Sequence, residues 1–329
     1  MTTLPLMAVP NVSEGRNPAN VEAIAAAFTA GGDTRLLDVH RDADHHRAVF
    51  TLAGSPGSLA DALAAGTAET VRLVDIGDGR DRSRETLASG EHPRFGQHPH
   101  VGAVDVVPVV HLSDGLRGAA CAEALVAAEK IGALGVPVFL YGELGGGRTR
   151  AELRKGGVKA LVERMRSGEL TPDFGPAAPH PTAGATLVGA RPPLVAFNLE
   201  LMPPATVQDA RRIAALIREG GAEGLPGVRA IGVAVNRNPP APPTPQVSLN
   251  IERPGEVPLR AVVAGVQAHA TIACAELVGL APVAALEGFP ADVPMPGFDP
   301  ARHTIEKALS LDPPIPGSPR HRMTHRQDP

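Results

Sequence analysis

The chain has no tryptophan, one tyrosine and two cysteines among its 329 residues. Each scarcity removes a class of function. With aromatics at 3%, there is little material for stacking unpaired bases, as single-strand nucleic-acid binders do. Cys121 and Cys274 stand in Ala-rich apolar stretches that read as helix or helix edge. Two buried free thiols, rather than a disulfide framework, fit a reducing cytoplasm. An excess of one charge is also missing: 31 Lys and Arg stand against 35 Asp and Glu, a net charge of −4. That balance leaves no electrostatic footprint for nucleic acid or an anionic membrane. No stretch reaches the roughly 18 apolar residues needed to span a bilayer, and Met1 to Pro10 lacks the basic and apolar regions of an export signal. The expectation is a soluble, unexported protein with small-molecule substrates and neither nucleic-acid nor membrane partners.

What is abundant is punctuation. There are 34 prolines and 36 glycines, clustered at 171–193, 224–227, 238–245 and 312–319, which predicts many short elements rather than a long-helix bundle. The 43% hydrophobic content suffices for a substantial core in one large or two smaller domains. Asn17-Pro18 reads as a helix start, with an Ala-rich helix to Phe28 stopped by Gly31-Gly32. Strands are expected at Arg35–Val39, Ala48–Leu52, Ala103–Val110 and Val136–Tyr141, and helices at Ser58–Val74, Cys121–Leu134 and Gly157–Arg166. After a Pro/Gly-rich stretch the pattern restarts. Strands are predicted at Ala185–Val188, Leu194–Leu201, Val228–Val235 and Gln246–Ile251. Helices are predicted at Val207–Arg218 behind a Thr206 cap, at Val262–Ile272, and from Asp299-Pro300 to about Leu309. The fold class is therefore α/β (α+β): two sandwich-like α/β subdomains with mixed sheets, 1–184 and 185–311, followed by a tail at 312–329 without periodicity that is expected to be disordered. The groove between two such units is the default ligand site.

Three segments could carry chemistry. Asp38 to Arg47 packs Asp38, Asp42, Asp44, His40, His45, His46, Arg41 and Arg47 between two strands; its default reading is a solvated turn of mutually paired charges, and its spacing matches no standard zinc pattern. Gly90 to Gly102 contains two near copies of His-Pro-x-x-Gly, opening at His92 and His98. Imidazole titrates near neutrality and can both take and give a proton, Pro keeps the preceding His extended, and Gly admits close approach of a ligand or backbone. Pro172 to Gly184 is an extended Pro/Gly loop that could lie beside a planar ring, or be a plain linker. Gly145-Gly146-Gly147 lacks the Lys-Ser/Thr of a phosphate loop.

In this order the segments resemble the formimidoyltransferase domain family. The matching stretches are Val9–Asn17, Leu37–Val49, His98–Pro108, Val136–Glu143, Pro172–Pro176, and Gly184–Arg191 followed by Ala196-Phe197-Asn198, with weaker matches at Gln246–Ser248 and Glu276–Leu280. The resemblance implies two α/β subdomains, a homodimer, and folate held in the groove between the subdomains. The implied reaction moves a formimino group from N-formimino-L-glutamate to tetrahydrofolate, as co-substrate, in histidine degradation. The implied catalytic residue is the His that opens the His-Pro motif, and the folate-binding loop falls on Gly175, Pro176, Ala177, Ala178, Pro179, His180, Pro181, Thr182, Ala183 and Gly184. No metal is expected.

The residues agree with that chemistry. Folate N5 must lose a proton as it attacks the amidine carbon, and the glutamate nitrogen must gain one to leave; one imidazole of pKa about 6.5 can serve both steps. Arg47 or Arg191 could hold a substrate carboxylate bidentately. The chain departs from the family pattern in three ways. It has two His-Pro copies: His98 is in register with the strand ending at Pro108, whereas His92 keeps the family's neighbouring Glu and Arg. His100 stands at the motif's Arg position. His40 stands where some members carry an acidic residue, leaving Asp42 or Asp44 to orient an imidazole. An added stretch, about Gly77 to Ser89, precedes the histidines. Two other readings compete: a folate- or ligand-binding relative without the chemistry, and a metal hydrolase using His45, His46 and His98.

Overall fold

In the first helix the local chemistry is that of the sequence. The Asn17 side chain accepts from the Ala19 N–H at 3.0 Å, and Pro18 opens helix α1 (Pro18–Thr29), which buries Val21, Ile24 and Phe28. Phe28 lies 5.2 Å from Phe50, centroid to centroid. The computed structural model describes residues 4–77, 100–235 and 242–310, which fall into two units, 1–192 and 193–329.

The first unit is built on a seven-stranded sheet. Its strands are β1 (Leu6–Ala8), β2 (Asn11–Val12), β3 (Thr34–Asp42), β4 (Arg47–Gly54), β5 (Val104–Val110), β6 (Val138–Leu140) and β7 (Thr186–Arg191). β1 and β2 both lie between β4 and β5, in line and separated by Val9-Pro10. They are too short, and broken by a residue that cannot donate to the ladder, to show as a periodic pattern. β3, β4, β1/β2 and β5 pair antiparallel, whereas β5, β7 and β6 pair parallel. Helices α1, α2 (Leu59–Leu73) and α3 (Arg117–Ala133) pack on one face around Phe28, Phe50, Leu52, Leu63 and Ile131. Short α4 (Arg150–Arg154) and α5 (Gly157–Arg166) enclose Val106, Phe139, Tyr141 and Leu187, the alternate residues of the parallel strands. The expected boundary at Gly184 moves to Pro192, because β7 pairs with β5 from Val106↔Leu187 to Val110↔Arg191 and belongs to the first sheet.

The second unit runs β8 (Val195–Leu201), α6 (Val207–Ile217), β9 (Val228–Val235), β10 (Thr244–Ile251), α7 (Leu259–Gln267), β11 (Ile272–Val278), with α8 (Ile305–Ser310) after it. The sheet order is β11-β8-β10-β9, antiparallel throughout, which is two interlocked split β-α-β units. Only the first sheet is therefore mixed. Thr206 and Asp209 form a reciprocal capping box at α6. The expected helix to Ile272 stops at Gln267, and Ile272–Val278 is an edge strand on β8. Its Ile-Ala-Cys-Ala opening and the bulge between Ile272 and Cys274 hide the alternation, so Cys274 is on a strand rather than a helix. Neither cysteine forms a disulfide. The expected helix start at Asp299-Pro300 is a turn closed by the His303 N–H on the Asp299 carbonyl at 2.8 Å, with the helix proper beginning at Ile305. Among the described residues no helix is long and apolar enough to cross a membrane. The expected tail at 312–329 lies outside the described residues.

One buried carboxylate ties two helices of the first unit together. Ser58, at the start of α2, makes no side-chain cap. Glu123 of α3, 5% exposed, accepts instead from the N–H groups of Gly57 and Ala60, both at 2.6 Å. It places a negative charge at the positive end of α2 and satisfies its orphan donors. Glu123→Ala should lower unfolding free energy by about 2–3 kcal/mol, and Glu123→Gln by less, measured by chemical denaturation.

Candidate functional site

The described chain re-enters at His100 and is held from there by backbone hydrogen bonds. The Val101 N–H donates to Asp105 Oδ1 at 2.8 Å, and Arg154 of α4 forms an ion pair with the same carboxylate. The Ala185 N–H donates to the Val101 carbonyl at 3.0 Å and the Ala103 N–H to the Ala183 carbonyl at 2.9 Å. Ser13 holds the junction from β2, its N–H on the Ala103 carbonyl and its Oγ on the Gly102 carbonyl, both at 2.8 Å. Gly102 has to be glycine: an added Cβ would lie 1.8 Å from the Ala185 carbonyl oxygen. Gly184 opposite has φ +67° and would clash with the Val101 carbonyl.

The Gly175–Gly184 segment enters this junction as a closed loop. His180 and Gly184 exchange two backbone hydrogen bonds of 2.8 and 2.9 Å. Inside the turn, His180 Nδ1 accepts from the N–H groups of Thr182 at 3.3 Å and Ala183 at 3.1 Å. The imidazole thus shapes the loop, while Gly175, Pro176, Ala177, Ala178 and Pro181 remain exposed, Pro179, His180 and Thr182 are half-buried, and Ala183 and Gly184 are buried. The Ile76 N–H donates to the Thr182 carbonyl at 2.8 Å. The two described segments that flank the histidine-rich stretch, ending at Gly77 and resuming at His100, are therefore both bonded to this loop. His92 and His98 lie outside the described residues, as does Asp78 to Ser89 of the added stretch.

A second cluster lies at the turn between β3 and β4. Glu14 accepts from the N–H groups of Arg16 at 2.8 Å and Asn17 at 3.0 Å and from Asn20 Nδ2 at 2.9 Å. Burial opposes its charge, but these donors and then His46 outweigh it and hold the carboxyl below its usual value. His46 Nδ1 accepts from the Gly15 N–H at 3.2 Å, which sets the proton on Nε2. Burial first, and then Arg16 and His100, push its pKa below the ordinary 6.5 against the pull of Glu14. His46 is therefore a neutral imidazole on the same side as His100.

The acidic and basic residues from Asp38 to Arg47 are not all in a loop, as the sequence suggested. β3 runs on to Asp42, β4 begins at Arg47, and only Ala43–His46 turns. β-Pairing with β4 satisfies the backbone of the polar residues, so polarity does not end the strand. Asp42, a candidate for orienting an imidazole, uses Oδ1 to accept from the N–H groups of Asp44 and His45, both at 2.9 Å. Burial raises its pKa, but His45, that N–H, Arg47 and His40 together keep it below the usual carboxylate range. His45 lies 3.8 Å from Asp42 Oδ2 and His46 3.7 Å from Glu14, so the two neighbouring histidines serve different carboxylates. Arg191, a candidate carboxylate ligand, donates from Nη1 to the Pro192 carbonyl at 2.9 Å.

Sequence reasoning missed the Asp105–Arg154 pair and the Glu14 cap. Asp105 could have been found from its place four residues after the Val101 N–H it accepts. Arg154 could not, being brought in by a helix five residues long.

Gly102→Ala should lose about 2–3 kcal/mol of stability, because the displaced carbonyl belongs to the sheet junction and has no room to move; thermal denaturation measures it. The sign of the pH dependence follows from His46. With its folded pKa below 6.5, the unfolded chain binds more protons below that pH, so stability falls as pH drops through about 6.5. Melting temperatures between pH 7.5 and 5.5 should fall less steeply in His46→Gln than in the unaltered protein.

The formiminotransferase domain, N-terminal subdomain, matches residues 5–191 as a family. The glutamate formimidoyltransferase of Streptococcus pyogenes serotype M1 is 34% identical over 288 residues, covering 84% of this chain and 89% of that protein. The formimidoyltransferase-cyclodeaminase of Sus scrofa is 36% identical over 237 residues, 68% of this chain but 40% of that longer protein. The glutamate formimidoyltransferase of Thermoplasma acidophilum is 33% identical over 221 residues, 65% of this chain and 67% of that protein. With the histidine-segment junction, the closed loop and the strand order in hand, this chain belongs to the formiminotransferase family.

Proposed function

We propose that this protein is a folate-dependent glutamate formimidoyltransferase, moving the formimino group from N-formimino-L-glutamate to tetrahydrofolate. In this reading N5 of tetrahydrofolate attacks the amidine carbon, the new N5–carbon bond forms, and the carbon–nitrogen bond to glutamate breaks. The proton lost by N5 reaches the departing glutamate nitrogen through an imidazole, His98 in register with β5, or His92. Holding both substrates at one place supplies the proximity the bimolecular step needs. The Gly175–Gly184 loop binds the folate, the protein is a cytoplasmic homodimer, and the reaction belongs to histidine breakdown.

The observation that carries this reading is the junction at Gly102, where the segment after His98 is bonded to the loop that the family uses for folate. Its rigidity suits a site in which a proton carrier must stay within hydrogen-bond reach of a bound ring. The test is an assay of tetrahydrofolate with N-formimino-L-glutamate. The unaltered protein should turn over, His98→Ala should lose at least about 100-fold in kcat, and His92→Ala should stay near full activity. Equal activity of all three removes the histidine assignment. An inactive protein that still binds folate makes it a binding relative, for which His100 at the motif's Arg position is the feature to examine.

A further inference from the structure

The donors aimed at His180 fix its chemistry. Its Nδ1 accepts from the N–H groups of Thr182 at 3.3 Å and Ala183 at 3.1 Å, with the Thr182 hydroxyl at 3.4 Å. A backbone N–H only donates, so Nδ1 offers its lone pair and the proton of the neutral ring is on Nε2. Turning the ring over would put a C–H against both donors. While the loop is closed the imidazole therefore has one orientation and one tautomer. It cannot act as a base there, because Nδ1 is occupied and Nε2 already bears a proton.

These hydrogen bonds reach beyond the loop through the peptide plane. The Ala183 N–H and the Thr182 carbonyl belong to one rigid unit. One end of it is on the imidazole, and the other accepts from the Ile76 N–H at 2.8 Å. The next carbonyl, of Ala183, accepts from the Ala103 N–H at 2.9 Å. The ring thus fixes the peptides that hold both described segments flanking the histidine-rich stretch. What faces the ring is its own turn, with the Thr182 hydroxyl, and Gly135 in the turn after α3, where an added Cβ would lie 3.9 Å from Cδ2. Among the described residues no carboxylate pairs with the ring to favour an imidazolium. A proton added at Nδ1 would set an N–H against two N–H groups, so loop closure and a charged imidazole exclude each other.

We propose that His180 is a positioning residue for the formimino transfer: as a neutral imidazole it keeps the Gly175–Gly184 loop closed and its anchored peptides in place, and acid opens the loop. The link to folate rests on the formimidoyltransferase reading, while the latch itself rests on the hydrogen bonds alone. An imidazole freed from the loop takes up a proton below about pH 6.5, whereas the closed loop excludes it. The open state binds more protons, so acid favours it. Between pH 7.5 and 5.5 the balance should move toward the open loop by about tenfold.

The experiment measures two quantities at pH 7.5 and 5.5: hydrogen-exchange protection of the Thr182 and Ala183 amides in the ligand-free protein, and the dissociation constant of tetrahydrofolate. It compares the unaltered protein, His180→Asn and His180→Leu. The Asn Oδ1 stands as many bonds from Cα as Nδ1, accepts from the same N–H groups and does not titrate. In the unaltered protein, protection should fall about tenfold at the lower pH. Its folate affinity should fall at least about threefold further than that of His180→Asn, which keeps every other titrating group. His180→Asn should match the unaltered protein at pH 7.5 and keep its protection at pH 5.5. His180→Leu should lack the protection at both pH values and bind folate more weakly. Equal protection at both pH values in the unaltered protein overturns the proposal. So does an equal pH dependence of folate binding in the unaltered protein and His180→Asn, and so does full protection in correctly folded His180→Leu. If the unaltered protein binds no folate at pH 7.5, it is the formimidoyltransferase reading that fails, and the protection measurements still judge the latch.

Discussion

The first unit depends on a backbone junction with no room in it. At Gly102 three chain segments meet through main-chain hydrogen bonds: the end of β2 at Ser13, the lead into β5, and the turn from Gly184 into β7. Main-chain groups are the least adaptable partners a protein has, since each donor and acceptor is fixed to the peptide plane. A side chain at 102 or 184 would push the strands apart, and the Asp105–Arg154 ion pair that locks Val101 could not form at that distance. The glycines of the family motif are therefore steric requirements of the sheet. The motif's aspartate is explained the same way: it holds the backbone after the histidine segment in place.

Electrostatics at the β3–β4 turn follows from the same economy of donors. Glu14 and Asp42 are buried carboxylates held below the usual carboxylate range, Glu14 chiefly by backbone N–H groups and Asn20, and Asp42 by the charge of His45 and then its N–H. His46 is pushed the other way, below the usual imidazole value, by burial first and then by Arg16 and His100, with the Gly15 N–H on its Nδ1. With its proton on Nε2 and the Gly15 N–H on Nδ1, it gains a second proton only by giving up that hydrogen bond. The hairpin is thus a local charge pattern in which His45 and His46 face different carboxylates.

What could be read from the sequence was what depended on neighbours in the chain. Asn17-Pro18, Thr206 with Asp209, and the alternation through β8, β9 and β10 are local signals, and the structure contains the elements they imply. β1, β2 and β11 were hidden because their existence is decided by partners far along the chain: β11 is a strand because β8 offers it an edge, although Ala and Cys have no strong β preference. The unit boundary was misjudged for the same reason, since a parallel pairing of β7 with β5 leaves no mark in the residues between them. At the candidate site, family motifs marked the segments, but the purpose of each residue within them, Gly102 for clearance, Asp105 for anchoring and His180 for closing its loop, needed three-dimensional distances.

The second sheet is where local and global requirements part. Period-two alternation makes one face apolar and leaves the other to be whatever its surroundings demand. A sheet face meant for solvent would be exposed, and one meant only for packing would be apolar. Asn198, Glu200, Gln246, Ser248 and Glu276 are polar and all less than 9% exposed, and Asn198 donates to Glu276 at 2.8 Å. Stability alone would replace Gln246, whose carboxamide has no hydrogen-bond partner among the described residues, by a methionine or leucine, since burying an unmet amide opposes folding.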